Sequence, residues 1–457
     1  MELPHISLNE WESSFVAFFA RFFEGMGRTE FRDAARSYLA GLLLGLAIKN
    51  CWTIAEATGQ SDPQPHQRLL RKTKWDEDAL SQGRRDYIVE HFGAEDGLFI
   101  LDETGFLKDG EKSVGVQRQY TGTAGKIANS QVAVFAAYAS RHGRVLYDTR
   151  LFLPESWAHN LERRKEAGVP ENVEFSTKIQ QAAALVDQAV ADSLPMKWVT
   201  ADSFYGPSFA LRQKLIDHRL RFVMAIRVNT TMYEERPKIL VSSPAGGSKS
   251  SKRRKRIVGQ QYRADELAKM FSPSDFKRLS IGEGSKGPRL FDWAMRRVAV
   301  FQKERGNQDL WFLVRRSIRD PSKVAYFLAW APATTSINEL AAVAGARWQI
   351  EECFAEAKGE VGMDDYQVRK WIAWQRHMQL AMLAHLFLAE LRRDQGLDGV
   401  LAPLSVAETR RLLQIVLQPS PRPVDYYLNW SLWRRNHHQK ARESHYRRAN
   451  ARSPTAK

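Results

Sequence analysis

The chain has 457 residues, with 68 Lys and Arg against 52 Asp and Glu, a formal net charge of +16 and an isoelectric point near 9.8. That length allows two or three domains and a sizeable core, and the excess of cations selects a polyanionic partner, nucleic acid ahead of an anionic membrane surface. Cys51 and Cys353 cannot build a disulfide framework, no Cys/His set has zinc-site spacing, and neither a leader pattern nor an apolar run of spanning length occurs, so a soluble, cytoplasmic protein with no membrane role is expected.

Residues 1–95 read as a helical N-terminal DNA-binding domain. Apolar periodicity gives helices over Trp11 to Phe23, Phe31 to Ile48, Ile54 to Thr58, Pro65 to Leu70 and Glu77 to Phe92. The third ends at Gly59, and the next carries the basic amphipathic run Gln67-Arg68-Leu69-Leu70-Arg71-Lys72. Helix, glycine turn and basic helix outline a helix-turn-helix, in which Arg68, Arg71 and Lys72 would meet phosphates beside the major groove. Helical hairpins that bind no DNA share that outline.

Residues 96–229 turn to an α/β pattern. Strands are expected from Gly97 to Asp102, Ser113 to Tyr120, Gln131 to Ser140 and Val145 to Leu153. Between the second and third lies Thr121-Gly122-Thr123-Ala124-Gly125-Lys126. Tyr120 and Ile127 stand where a phosphate-binding loop needs Gly and Ser/Thr, so a β-turn presenting an exposed Lys126 to phosphate is the expectation. A helix from Ser176 to Asp192, a strand ending at Asp202, a helix from Phe209 to His218 and a strand from Phe222 to Val228 complete the segment. Antiparallel strands followed by alternating helix and strand is the order of an RNase H-like core.

Residues 230–335 read as a β-rich insertion with a basic flexible arm from Ser242 to Arg256, and strands from Asp292 to Lys303, Leu310 to Arg316 and Val324 to Ala331. Residues 336–395 return to the core and end in a helix from Trp371 to Arg393, whose His377 and His385 read as packed side chains. Residues 396–457 hold a helix from Val406 to Val416, capped by Ser405, and a basic tail from Trp433 expected to be disordered.

Three acids carry the chemistry. Phe99-Ile100-Leu101-Asp102 and Trp198-Val199-Thr200-Ala201-Asp202 are both apolar runs closing on Asp just before Gly105 or Gly206, so each Asp projects from a strand end. Alone, such an Asp is a turn former or helix cap. Downstream, Arg347 to Lys358 reads as a helix with Ile350, Phe354, Ala357 and Val361 on the buried stripe. Arg347, Glu351 and Lys358 share a second stripe roughly 70° away, while Glu352 faces water. Three convergent carboxylates supply oxygen ligands for two hard divalent cations, Mg²⁺ or Mn²⁺.

These segments resemble the acidic triad of DDE transposases, the enzymes of bacterial insertion sequences, which are built on an RNase H-like core. In the insertion-sequence-four-like branch, and its seven-oh-one type, the third motif runs Tyr, two residues, Arg, three residues, Glu, six residues, Lys. Arg347, Glu351 and Lys358 match it, and Ala344 stands in the Tyr position. Leu101 to Phe106, Ala201 to Gly206 and Leu153-Pro154-Glu155-Ser156-Trp157 extend the likeness, which runs from about residue 30 to residue 390.

The resemblance implies an α/β fold with an RNase H-like core, a β-rich insertion and a helical N-terminal domain. It implies a transposase that binds the ends of its insertion sequence, cleaves strands and transfers them into target DNA. Asp102, Asp202 and Glu351 would be the catalytic and metal-binding residues for two Mg²⁺ ions, with Mn²⁺ able to substitute. Asp102 would bridge the two metals, and Arg347 and Lys358 would hold phosphates. Within the insertion, Trp293, Trp311 and Trp330 are candidates to stack on an unstacked base, although a core Trp is the commoner identity. Double-stranded DNA (terminal inverted repeats and target), a homodimer on that DNA and a nucleoid-associated location complete the expectation. Two alternatives keep the same triad or fold: an RNase H-like nuclease without strand transfer, and a transposase-derived DNA-binding protein.

Overall fold

The computed structural model describes residues 8–242, 254–284, 287–394 and 404–452. Five helices come first: α1 (Leu8–Phe23), α2 (Thr29–Leu43), α3 (Cys51–Ala57), α4 (Gln64–Arg71) and α5 (Glu77–Phe92). Their ends follow local chemistry. The Asn50 side chain accepts from the backbone of Trp52 and Thr53 to start α3, and Asp76 accepts from Ala79 to start α5.

The sheet begins with β1 (Leu98–Leu107), β2 (Gln117–Thr121), β3 (Lys126–Ser140) and β4 (Gly143–Leu151). After α6 (Glu155–Ala158), α7 (Leu161–Ala167) and α8 (Lys178–Ala191) come β5 (Trp198–Ala201), α9 (Phe209–Asp217) and β6 (Arg221–Ile226). β7 (Thr231–Tyr233), β8 (Lys238–Ser242), β9 (Arg254–Val258), β10 (Gln261–Arg263) and α10 (Ala264–Ala268) lead into the long antiparallel strands. Those are β11 (Lys277–Gly284), β12 (Gly287–Gln302), β13 (Gly306–Ser317) and β14 (Val324–Trp330). Helices α11 (Ile337–Ala346), α12 (Gln349–Val361), α13 (Trp371–Asp394), α14 (Val406–Leu417) and α15 (Val424–Arg452) close the chain.

Twelve strands form one mixed sheet, in the order β10-β7-β12-β13-β14-β6-β5-β1-β3-β2, with β11 on β12 and β4 on β3. β1, β5 and β6 run parallel to one another, and β1 runs antiparallel to β3. The strands expected as an insertion do not stand apart: β14 pairs antiparallel with β6, Trp330 opposite Phe222, and so prolongs the sheet of residues 96–229. Their alternation of apolar and polar residues reads the same whether a strand sits in a small separate sheet or at the flank of a large one. α13 is the hub of the helical side, buried along most of its length and packed on α2, α4, α5, α12, α14 and β4.

The structure departs from sequence expectation in particular places. β1 runs on to Leu107, five residues past Asp102, because β3 pairs with it throughout. The strand expected from Ser113 begins only at Gln117. The helix expected from Arg347 begins at Gln349, since Arg347 and Trp348 form the joint between α11 and α12. The tail expected to be disordered from Trp433 is helical as far as Arg452, within α15, which contains no Gly or Pro and follows Pro423; residues 453–457 lie outside the described residues. Of the basic arm, residues 243–253 lie outside the described residues.

Candidate active site

The strand register brings the first two acids together. β1 and β5 pair in parallel up to Leu101 opposite Ala201, so Asp102 and Asp202 follow side by side just past the last rung of that ladder. The carboxyl ends of parallel strands are where α/β sheets open a crevice for ligands. Asp202 also forms the turn: its Oδ1 accepts from the backbone N–H of Phe204 at 2.8 Å and of Tyr205 at 3.4 Å. The turn is then pressed onto β6. A Cβ on Gly206 would lie 1.8 Å from the carbonyl oxygen of Ala225, a backbone atom that cannot yield. Gly206→Ala is therefore expected to cost about 1–3 kcal/mol of stability, read as a lower urea midpoint at unchanged slope. An unaltered midpoint would mean that the turn is not held against β6.

Arg347 joins the third acid to the first. Its Nη1 donates to Asp102 Oδ2 at 2.8 Å, and its Nη2 donates to Glu351 one helical turn away. Asp102 Oδ1 accepts from the Glu103 N–H at 2.8 Å. Burial, reinforced by the charge of Asp202, pushes the Asp102 carboxyl up to about 7 in spite of Arg347. Burial likewise raises Asp202. The Glu351 side chain, at 58% exposure, faces outward, so the acids meet through a guanidinium rather than directly.

Lys358, on the same stripe as Glu351, bonds elsewhere. Burial lowers its pKa, and its ammonium donates to Thr104 Oγ1 at 3.0 Å, Gly105 O at 2.9 Å and Thr123 Oγ1 at 3.2 Å. It thus ties α12 to β1 and to the β2–β3 turn. Lys126 is exposed just beyond that turn, opposite Thr121. Arg68, Arg71 and Lys72 are exposed on α4 and its C-cap, in the helical region, and have no contact with the acids. Glu352, expected to face water, is 34% exposed and pairs with Arg144 at 2.7 Å. Ile350, Phe354, Ala357 and Val361 are buried as expected, and so is Ala344. Trp293 is fully buried against Phe327, which leaves it no face for a base. Trp311 carries the Arg297 guanidinium over its ring, 3.8 Å from the centroid, and Trp330 is half-buried.

Sequence reasoning missed Glu103 and Lys178. Glu103 accepts from the buried Tyr205 hydroxyl at 2.6 Å and from Lys178 at 2.7 Å, which fixes the acids' flank. The adjacent acids in an otherwise apolar strand were a signal for Glu103; Lys178 lies too far along the chain for any local spacing to reveal it. His377 is packed, bonded to Tyr38 at 2.9 Å. Among the described residues, the set of three potential ligands within 4.8 Å is Cys353 and Glu356 of α12 with His385 of α13. Glu356 there is already held by Arg144 and by His385 at 3.2 Å, and burial raises the Cys353 thiol, so this set reads as packing support for the helix.

A family model described as DDE superfamily endonuclease matches residues 21–288. The chain belongs to this family. The match includes Asp102 and Asp202 and ends before Glu351. A curated relative, the probable transposase for insertion sequence element IS701 of Microchaete diplosiphon, is 28% identical over 200 residues. That stretch is 43% of this chain and 49% of the relative, so the chain spans about half of the relative's length. The piggyBac transposase in a synaptic complex with hairpin DNA, solved by cryo-electron microscopy, aligns over 97% of this chain and 83% of its own. Its identity is 11% and its TM-score 0.40, an overlap too loose to define a shared fold.

DDE endonucleases use divalent metal ions. The donors here fit such ions. Asp102 and Asp202 offer hard oxygen ligands from adjacent strands, and both are raised by burial, a cost that a dication offsets. Among the described residues no helix is long and apolar enough to cross a membrane.

Proposed function

We propose that the chain is a DNA transposase that binds the ends of its insertion sequence, cleaves there and joins the freed ends to target DNA. What carries the reading is the parallel register that ends at Leu101 and Ala201 and sets Asp102 beside Asp202. In this reading, β4-β3-β1-β5-β6 is an RNase H-like core formed by residues 96–229 and 336–395. Residues 230–335 serve as its β-rich insertion, 1–95 as the helical DNA-binding domain, and 396–457 as a C-terminal helical region.

Asp102, Asp202 and Glu351 would hold two Mg²⁺ ions, or Mn²⁺ in their place, which lower the pKa of the attacking oxygen and stabilise the leaving one. The chain's own residues do the rest. Arg347 releases Asp102 and Glu351 and turns its guanidinium to the phosphate beside the scissile bond. Lys358 holds the backbone of Gly105 and the β2–β3 turn, so that Lys126 meets a neighbouring phosphate. Tyr205 and Lys178 fix Glu103 and thereby the orientation of Asp102. In cleavage, a water oxygen bonds to phosphorus and the P–O3′ bond breaks, leaving a 3′-OH and a 5′-phosphate. In transfer, that 3′-OH attacks a target phosphodiester and a target 3′-oxygen leaves. Two ends must be handled together, which makes a homodimer on DNA the working unit.

The test is cleavage, in Mg²⁺ or Mn²⁺, of duplexes carrying the sequences that flank the gene, followed by strand joining to a plasmid. Wild type should cut and join, Glu351→Ala should lose cutting by on the order of 10²–10³-fold, and Glu352→Gln should retain it. Equal loss in both variants would remove Glu351 from the site. Cutting without joining would reduce the protein to a nuclease.

A further inference from the structure

We infer that the outer half of α15 is a second DNA-reading element that enters the major groove, with cations on both phosphate rails and a polar stripe toward the base edges. It deepens the transposase reading and rests on it for duplex DNA as the ligand.

The helix is rooted on the turn between α3 and α4. Tyr426 Oη donates to the carbonyls of Glu56 at 2.7 Å and Gln60 at 2.9 Å. The buried Trp430 donates its indole N–H to Gln60 O at 2.9 Å, and Arg434 is paired with Glu56. Trp52 of α3 meets Trp433 and His437 edge-on, with ring centroids 4.8 and 4.7 Å apart. Beyond these anchors, the side chains from His438 to Arg448 are almost all exposed. The root is thus the same helical hairpin whose α4 carries Arg68, Arg71 and Lys72.

At about 100° per residue, Tyr426, Trp430, Trp433, Arg434 and His437 fall on one side, the side that touches the body. Asn436, Gln439 and Glu443, at i, i+3 and i+7, fall on another side, roughly 130° around the helix from it. Two stripes of cations flank them: Arg435 with Arg442 on one edge, and Lys440 with Arg447 on the other, roughly 140° apart. Among the described residues, none of these four cations is paired with a carboxylate. Gln439 donates to Glu443 at 3.0 Å and accepts from Arg442 at 3.1 Å, so the central stripe is linked and pointed outward.

A solvated helix needs no such order. Cations along both edges suit a groove walled by two phosphate backbones, and Asn, Gln and Glu are the side chains that pair with adenine and cytosine edges. From Arg435 to Arg447 the helix rises about 18 Å, the length of about five base pairs.

The experiment measures binding of the full chain to duplex DNA flanking its gene and to unrelated duplex, across a range of salt. Replacing Arg435, Lys440, Arg442 and Arg447 by Gln should weaken binding to both duplexes by about tenfold or more. It should also lower the slope of log affinity against log salt by about 2–4, since each phosphate contact contributes about 0.9. Gln439→Ala should leave that slope unchanged and reduce the preference for the flanking duplex by about 5- to 100-fold. Trp430→Ala keeps every cation yet frees the root, so it should weaken binding at the same net charge.

An unchanged slope in the four-residue variant, with its melting temperature intact, overturns the inference. So does loss of binding to phosphatidylserine vesicles in place of DNA. A wild type that binds DNA through α15 but never cuts it would sink the transposase reading and leave this one standing. A wild type that binds no duplex would sink both.

Discussion

Asp102→Asn is expected to abolish metal-dependent cleavage, by on the order of 10³-fold or more, while duplex binding stays within about twofold. The substitution keeps the shape of the side chain and its bond to Arg347 but removes the charge that a hard cation needs. The same variant carries a second signature. Because burial and Asp202 hold the Asp102 carboxyl at about 7, well above its ordinary value, ionising it costs the folded protein stability. That cost is absent below pH 4, grows as the pH rises from about 4 to 7, and is complete above 7. Mg²⁺ should therefore raise the wild-type melting temperature more at pH 8 than at pH 5, and Asp102→Asn should lose the difference. A variant that still cuts, or a wild type whose melting ignores Mg²⁺ at both pH values, would take Asp102 out of the site.

Arg84→Met should destabilise the fold by about 3–5 kcal/mol, seen as a large drop in urea midpoint. Arg84 is wholly buried and ties three elements together. It donates to the carbonyls of Leu146 and Tyr147 in β4, to Asp148 at 3.2 Å and to Gln379 of α13 at 3.2 Å. Met fills the volume but strands Asp148 with only Arg85, 3.5 Å away, and leaves two carbonyls short of a donor. Arg21→Met provides the contrast. Its pair with Glu90 is more than half exposed on both sides, and its loss should change stability by less than about 1 kcal/mol. Comparable losses in the two variants would refute the structural role of Arg84.

Arg84 also marks where the sequence was opaque. The helix Glu77–Phe92 was legible to its last residue, because apolar periodicity is a local signal. That two adjacent arginines within it turn inward depends on Asp148 and Asp192, which no local pattern connects to them. The acids show the same division. The runs before Asp102 and Asp202 announced buried strands, but only the register between β1 and β5 makes those two acids neighbours. Arg347 and Glu351 were legible as an i, i+4 pair, whereas the shared stripe could not show where Lys358 bonds: to Thr104, Gly105 and Thr123, more than 200 residues upstream. In α15, charge density masked a helix whose fixed points, Tyr426 and Trp430, bind a turn far earlier in the chain.

The shared sheet sets a limit on how this protein can be trimmed. Cutting out residues 230–335 would not lift away a self-contained cassette, because β14 is the partner that closes the outer edge of β6. Phe222, Val223 and Met224 would then lie along an open edge, with unpaired N–H and C=O groups ready to recruit a strand from another molecule. Shortened forms should be designed to keep β14 on β6 and to remove residues only at the far side of the sheet, outward from β12.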